Sequence, residues 1–161
     1  MDKDLDSNGM ILIGGVKMSA FTGMNISASG MTAQRLRMDI ISQNIANVST
    51  TRSENGQPYR RKVVTFSEKD ATPFQEIFMR TAGVVGAGVK ATKITTDDSP
   101  MRKVFDPSHP DADEQGYVSY PNVNTVQEMT DLIDATRSYE ANVTAFNATK
   151  SMALKGLEVG R

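Results

Sequence analysis

The chain has 161 residues, of which 39% are hydrophobic and 6% aromatic, with no tryptophan and no cysteine. Its 18 basic and 19 acidic residues leave a net charge of −1, without the clustered basic excess of a nucleic-acid-binding surface. The missing cysteines exclude disulfide staples, a thiolate nucleophile and a cysteine-based zinc site, and no apolar run approaches the roughly 20 residues that a membrane-spanning helix needs.

Residues 1–17 read as a leader set apart from the pattern that follows. The apolar patch Met10 to Val16 is preceded by Asp2, Asp4 and Asp6, where a secretory signal would carry positive charge. No small-residue cleavage site follows it closely, so no cleavable signal peptide is expected.

Residues 18–48 are predicted to form a helix. Met24, Met31, Met38 and Ile45 fall seven apart, and Ile41 and Val48 lie three beyond the last two. That is an a/d-like seam. Leu36 and Ile40 form a second apolar line, so more than one neighbour is expected. Gly23 and Gly30 each cost about 1 kcal/mol relative to alanine in a helix interior, and the first third is expected to fray until something packs on it.

The helical period is lost over residues 49–121. Ser49-Thr50-Thr51 and Asn55-Gly56 are turn chemistry. Tyr59 to Phe66, Phe74 to Met79 and Val84 to Thr95 read as strands, and Asp106 to Asp111, with two prolines three apart, as a loop. Residues 122–161 return to helix. Asn124 is placed as the N-cap, with Gln127 three residues on completing a capping-box-like pair and Glu128 in the first turn, where the helix dipole favours negative charge. The seam then runs Met129, Leu132, Thr136, Tyr139, Val143, Phe146, Lys150, Ala153, Leu157. The expected fold is mainly α: long N- and C-terminal helices in a coiled-coil-like layer around a small β-rich middle segment.

No constellation for catalysis emerges. His109 sits among Asp106, Asp111 and Asp113, but the spacing fits no EF-hand loop. Gly83, Gly86 and Gly88 precede a strand-like stretch rather than the helix of a dinucleotide loop, and suit a tight turn. Asp97-Asp98 lacks a nearby nucleophile or oxyanion donor. Arg60-Arg61-Lys62 reads as a solvated strand end, or as a basic patch that pairs with Asp111 to Glu114 of a neighbouring subunit. A non-enzymatic chain with no cofactor, metal, small-molecule substrate or nucleic-acid partner is expected.

The segments themselves carry a resemblance. Met31-Thr32-Ala33-Gln34-Arg35-Leu36-Arg37-Met38, followed by Ile41-Ser42-Gln43-Asn44-Ile45-Ala46-Asn47-Val48-Ser49-Thr50, resembles the N-terminal signature of bacterial flagellar axial proteins. Its Ala46-Asn47-x-x-Thr50 end is similar to that of rod and hook subunits. Gly86-Ala87-Gly88-Val89-Lys90 looks like the family's glycine turn. Ser99 to Asp113, then Gly116 through Pro121-Asn122-Val123-Asn124 with Glu128-Met129 after it, and Arg137 to Asn142, narrow the resemblance to the proximal rod of the basal body. The likeness covers about residues 18–160.

What the resemblance implies is a subunit of the rod that crosses the periplasm and transmits torque to the hook. Such a subunit passes unfolded through the flagellar type III export apparatus, without a cleavable signal, and packs its terminal helices coaxially in a hetero-oligomeric assembly. Its partners would be the other proximal and distal rod proteins and the junction protein at the export gate. Met24, Met31, Met38, Ile41, Ile45, Met129, Leu132, Tyr139, Val143, Phe146 and Leu157 would be the packing residues. Asn44, Ala46, Asn47, Thr50, Pro121, Asn122, Asn124 and Glu128 would be the family motif. A distal-rod or hook-type subunit is the nearest alternative reading, and a type III secreted coiled-coil adaptor the next.

Overall fold

The computed structural model describes the backbone of residues 3–53, 55–69 and 88–159. Six elements follow in chain order among the described residues: helix α1 (Lys3–Ala46), strands β1 (Lys62–Glu68), β2 (Val89–Thr96), β3 (Arg102–Phe105) and β4 (Tyr117–Tyr120), and helix α2 (Thr125–Val159). Two long helices and two small two-stranded sheets, β1–β2 and β3–β4, make the chain mainly α with a β-rich middle. The expected strand Phe74 to Met79, and Gly83 and Gly86, lie outside the described residues. Helix α1 begins at Lys3, so its backbone runs through the leader without a break at residue 18.

The chain divides into two compact units, one of Met1–Ala33, Ser67–Lys90 and Ser138–Arg161, the other of Gln34–Phe66 and Ala91–Arg137. In the first, α1 meets α2 at its glycines. A Cβ built on Gly23 would stand 3.4 Å from Thr149 Cγ2, and one on Gly30 only 2.7 Å from Asn142 Oδ1. Both pairs are seven apart in both helices and run in opposite senses. The two glycines expected to weaken the helix therefore face α2 at short range: a missing side chain lets the α2 residue sit on the α1 backbone. Gly88 makes a second close approach. Its φ of +97° suits only glycine, and a Cβ there would collide with Ser29 Oγ. That hydroxyl donates to Ile26 O at 2.7 Å and accepts from Val89 N at 3.0 Å.

In the second unit α1 ends in a hydrogen-bonded turn. Thr50 N donates to Asn47 O at 3.1 Å, and Thr50 Oγ1 to Asn47 Oδ1 at 3.2 Å. The Asn55-Gly56 turn forms as expected: Gly56 has φ +71° and its N–H donates to Ser53 O at 2.8 Å. β1 runs antiparallel to β2, with Asp97 N on Arg61 O at the end in this unit and Lys69 N on Gly88 O at the end in the first. The β3–β4 hairpin was not legible in the sequence. It pairs Arg102 with Tyr120 and Phe105 with Tyr117, antiparallel, around the proline-bent segment that was read as a loop. Phe105 and Tyr117 meet edge-on with ring centroids 5.3 Å apart. The buried residues of this unit include Ile40, Ile41, Val118, Pro121 and Ala135. At the start of α2, Asn124 Oδ1 accepts from Val126 N at 3.1 Å and Gln127 N at 3.4 Å, so the N-cap is where the sequence placed it. The Gln127 side chain goes forward instead, donating to Asp131 Oδ1 at 3.1 Å.

Candidate functional site

The densest chemistry of the described residues lies in the second unit, where the end of α1, the start of β1 and the first turn of α2 converge. Glu128 is 0% exposed and Asn44 1% exposed. Two polar side chains taken fully out of water must find partners, and here they find each other: Asn44 Nδ2 donates to Glu128 Oε2 at 3.0 Å. The same Nδ2 donates to Lys62 O at 2.9 Å, while Asn44 Oδ1 accepts from Lys62 N and from Tyr59 Oη, both at 2.9 Å. The amide thus stands in for a strand partner at the edge of β1 and has both groups satisfied. The other Glu128 oxygen accepts from Arg61 Nε at 2.6 Å, a charge-assisted bond.

Arg61 carries the site outward. Its Nη1 lies 3.6 Å from Asp97 Oδ2 and its Nη2 3.6 Å from Asp131 Oδ2. Burial opposes its charge, but the hydrogen bond and field of Glu128, with Asp97 and Asp131, outweigh that and hold its pKa above the usual arginine value. Burial, then the Glu128 charge, pushes the Tyr59 phenol up. Asn122 closes the ring. Its Oδ1 accepts from Arg61 N at 2.9 Å, and its Nδ2 donates to Asp97 O at 3.0 Å and Ser99 O at 3.3 Å. Pro121 is buried beside it.

Of the motif residues, Asn44, Asn122 and Glu128 therefore meet in one network, with Pro121 next to it. Asn47 and Thr50 terminate α1, Asn124 caps α2, and Ala46 is exposed. Glu128 was expected as a motif residue and for its dipole interaction; its main partners are Arg61 and Asn44. Asp131 was not singled out from the sequence, and Tyr59, Arg61 and Asp97 were read there as a strand start, a member of a cation run and half of a carboxylate pair, not as one cluster. The available signal was the two-residue period of an extended strand, which puts Tyr59 and Arg61 on one face with Val63.

Within the chain, the cation run and the acidic stretch from Asp111 have partners of their own. Arg60 faces Asp98 at 3.8 Å, while Asp111 faces Arg52 at 3.6 Å and accepts from Thr51 Oγ1 at 2.9 Å. Nor do the acids around His109 converge. Asp106 Oδ1 takes Ser108 N and Oγ, and Asp113 Oδ1 takes Gln115 N and Tyr117 N.

The packing residues divide by face. Ile41 is buried, and Met24, Met31, Met38, Ile45, Leu132, Tyr139, Val143 and Phe146 are half-buried. Met129, at 58%, and Leu157 are exposed. Met129 belongs to an outward line with Val126, 72% exposed, and Ile133, 53% exposed, spaced three and four apart on one side of α2. The side turned inward carries Glu128 and, seven residues on, Ala135.

Comparison with known proteins gives this arrangement a family. The family described as Flagella basal body rod protein matches residues 24–52, and that described as Flagellar basal body rod FlgEFG protein C-terminal matches residues 114–159. The flagellar basal-body rod protein FlgC of Bacillus subtilis is 52% identical over 151 residues, covering 89% of this chain and 100% of that protein. The chain belongs to the FlgC family of flagellar basal-body rod proteins. FlgC of Borreliella burgdorferi is 44% identical, over 88% of this chain and 98% of that protein. FlgC of Salmonella typhimurium is 37% identical, over 89% and 100%. Asn44 falls in the first matched segment and Asn122, Asn124 and Glu128 in the second, so the buried network joins the two parts of the chain by which the rod family is known. Arg61, Tyr59 and Asp97 lie in neither.

Proposed function

We propose that this chain is a structural subunit of the proximal rod of the flagellar basal body. In this reading it is exported through the flagellar type III apparatus and polymerised with other rod proteins into the shaft that carries torque through the periplasm to the hook. Membership of the FlgC family supports the rod assignment. The observation that carries polymerisation is the outward line Val126, Met129, Ile133 on α2, three large apolar side chains more than half exposed at helical spacing. Single exposed apolar residues are ordinary, but a contiguous line marks a surface awaiting a neighbour. The half-buried seam residues Met24, Met31, Met38, Leu132, Tyr139, Val143, Phe146 and exposed Leu157 supply the rest of a coiled-coil-like layer between subunits. The several methionines suit non-identical neighbours, because the side chain adapts to different surfaces.

The test is mass spectrometry of detergent-extracted, hard-washed hook–basal bodies. Stoichiometric recovery of the chain is expected, and its absence from the particles, with the protein free in cytoplasm or medium, would overturn the reading. Met129→Asp separates assembly from folding. It should leave the thermal melt of the isolated chain within about 0.5 kcal/mol of wild type while removing the chain from the particles. Normal incorporation of that variant would exclude the α2 line as the contact.

A further inference from the structure

We propose that Asn44 and Glu128 are positioning residues that set the axial register of α1 against the start of α2. The heptad repeat of α1 does not by itself fix it. The repeat Met24, Met31, Met38, Ile45 presents nearly the same surface after a shift of seven residues. Met38 and Thr136, which meet through Sδ and Oγ1 at 3.5 Å, are a flexible and a small partner that other positions would replace at little cost. Buried Ala135 offers a flat contact that any neighbour tolerates.

The polar pair behaves differently. Asn44 and Glu128 are sealed from water and use all their polar groups on each other, on Lys62 backbone, on Tyr59 and on Arg61. A slip of one heptad in one direction places Ala135 opposite Asn44, and in the other Pro121, which precedes the helix. Either slip strips Glu128 of the Asn44 amide and Asn44 of the carboxylate. A buried ionised group that loses its partners is among the costliest local defects, on the order of a hundredfold or more in population. A buried polar pair that fixes register while adding little net stability is the best-attested use of such groups.

The absence of cysteine lets register be read directly in the full-length chain. Met38→Cys is combined in turn with Thr136→Cys, Val143→Cys or Met129→Cys, and each pair is treated with a short bis-maleimide. The wild-type network should give intramolecular crosslinking at position 136 at least tenfold above positions 143 and 129. The apolar triple variant Asn44→Leu, Arg61→Met, Glu128→Leu, checked for retained helicity by circular dichroism, should crosslink at positions 143 or 129 within threefold of 136. Glu128→Gln, which keeps an acceptor for Asn44, should restore the single register even if its melting temperature falls. Where the triple variant loses its helical signal, Asn44→Leu alone, which keeps the Arg61–Glu128 ion pair, decides. Crosslinking at position 136 only, in a folded triple variant or in Asn44→Leu, overturns the proposal.

Discussion

Three consecutive cations, Arg60, Arg61 and Lys62, look interchangeable in the sequence, and their removal should have very different effects. Arg60 Nη1 stands 3.8 Å from an Asp98 whose side chain is 95% exposed. A pair so wet contributes about 0–1 kcal/mol. Arg61 Nε donates at 2.6 Å to a Glu128 whose side chain is 1% exposed. Removing one partner of a buried pair costs about 3–5 kcal/mol, chiefly because the other charge stays buried and uncompensated. The Arg61 side chain is itself 25% exposed, and Asn44 still donates to Glu128. Both lower the figure, to about 2–4 kcal/mol for Arg61→Ala. At roughly 2–4 °C per kcal/mol for a chain of this size, that is a fall of roughly 4–16 °C in melting temperature, against about 4 °C or less for Arg60→Ala. Circular dichroism melts of the isolated full-length chain read both. In a Glu128→Gln background no buried charge remains, so Arg61→Ala should cost at least about 1 kcal/mol less there, a coupling of the size found for groups in one network. Equal destabilisation by Arg60→Ala and Arg61→Ala, or no coupling to Glu128→Gln, would refute the assignment of Arg61 to the buried network.

Gly30→Val should destabilise by about 1–3 kcal/mol through overpacking against Asn142, and Asn142→Ala in the same chain should recover most of the loss in urea titrations. Asn124→Ala should cost about 1 kcal/mol, since two amides at the head of α2 lose their acceptor; an unchanged urea midpoint would contradict the cap. The Ser99 hydroxyl and amide, helped by Arg61, hold the Asp97 carboxyl below its ordinary value of 3.8. Between the folded and unfolded values the unfolded chain binds the extra proton, so this stabilisation is present above pH 3.8 and is lost as pH falls through the folded value. Asp97→Asn should flatten the acid limb of a urea-midpoint profile between about pH 5 and pH 2.5, and an unaltered limb would exclude Asp97 as a contributor.

The helices and the α2 cap were legible because their signals are local: a 3.6-residue period, and an asparagine before the first turn. The β3–β4 hairpin was not. Arg102-Lys103-Val104-Phe105 carries two charges and an exposed phenylalanine, so no alternation marks it, and only pairing with Tyr117–Tyr120 makes it a strand. The buried network was half legible. Asn44, Asn122 and Glu128 came forward through resemblance, but their common destination is a tertiary fact, set by chain segments 84 residues apart. Arg61 was hidden in a cation run, since nothing local says which of three neighbours turns inward. The sequence seam followed the largest apolar residues, whereas the glycines read there as weak points face α2 directly, Gly23 against Thr149 and Gly30 against Asn142. Asn44 and Glu128 stand two further heptads along the same spacing in each helix. Small residues let a neighbour approach the backbone, a contact that a search for bulk passes over.

The division of faces on α2 bears on how one short chain serves both folding and assembly. If the seam of largest residues were consumed inside the subunit, little apolar surface would remain to hold a neighbour. Instead α2 turns Glu128 and Ala135 inward and leaves Val126, Met129 and Ile133 exposed. The inward contacts of the second unit are made specific by a polar network that costs desolvation and gains geometry. The outward ones are large and apolar, the kind whose burial against a neighbour yields about 1.5–3 kcal/mol per side chain when complete. On the readings proposed above, polar groups set the helix pairing and the exposed apolar line is left for a neighbour. Met129→Asp and Asn44→Leu should then act separately, the first on incorporation into basal bodies and the second on helix register.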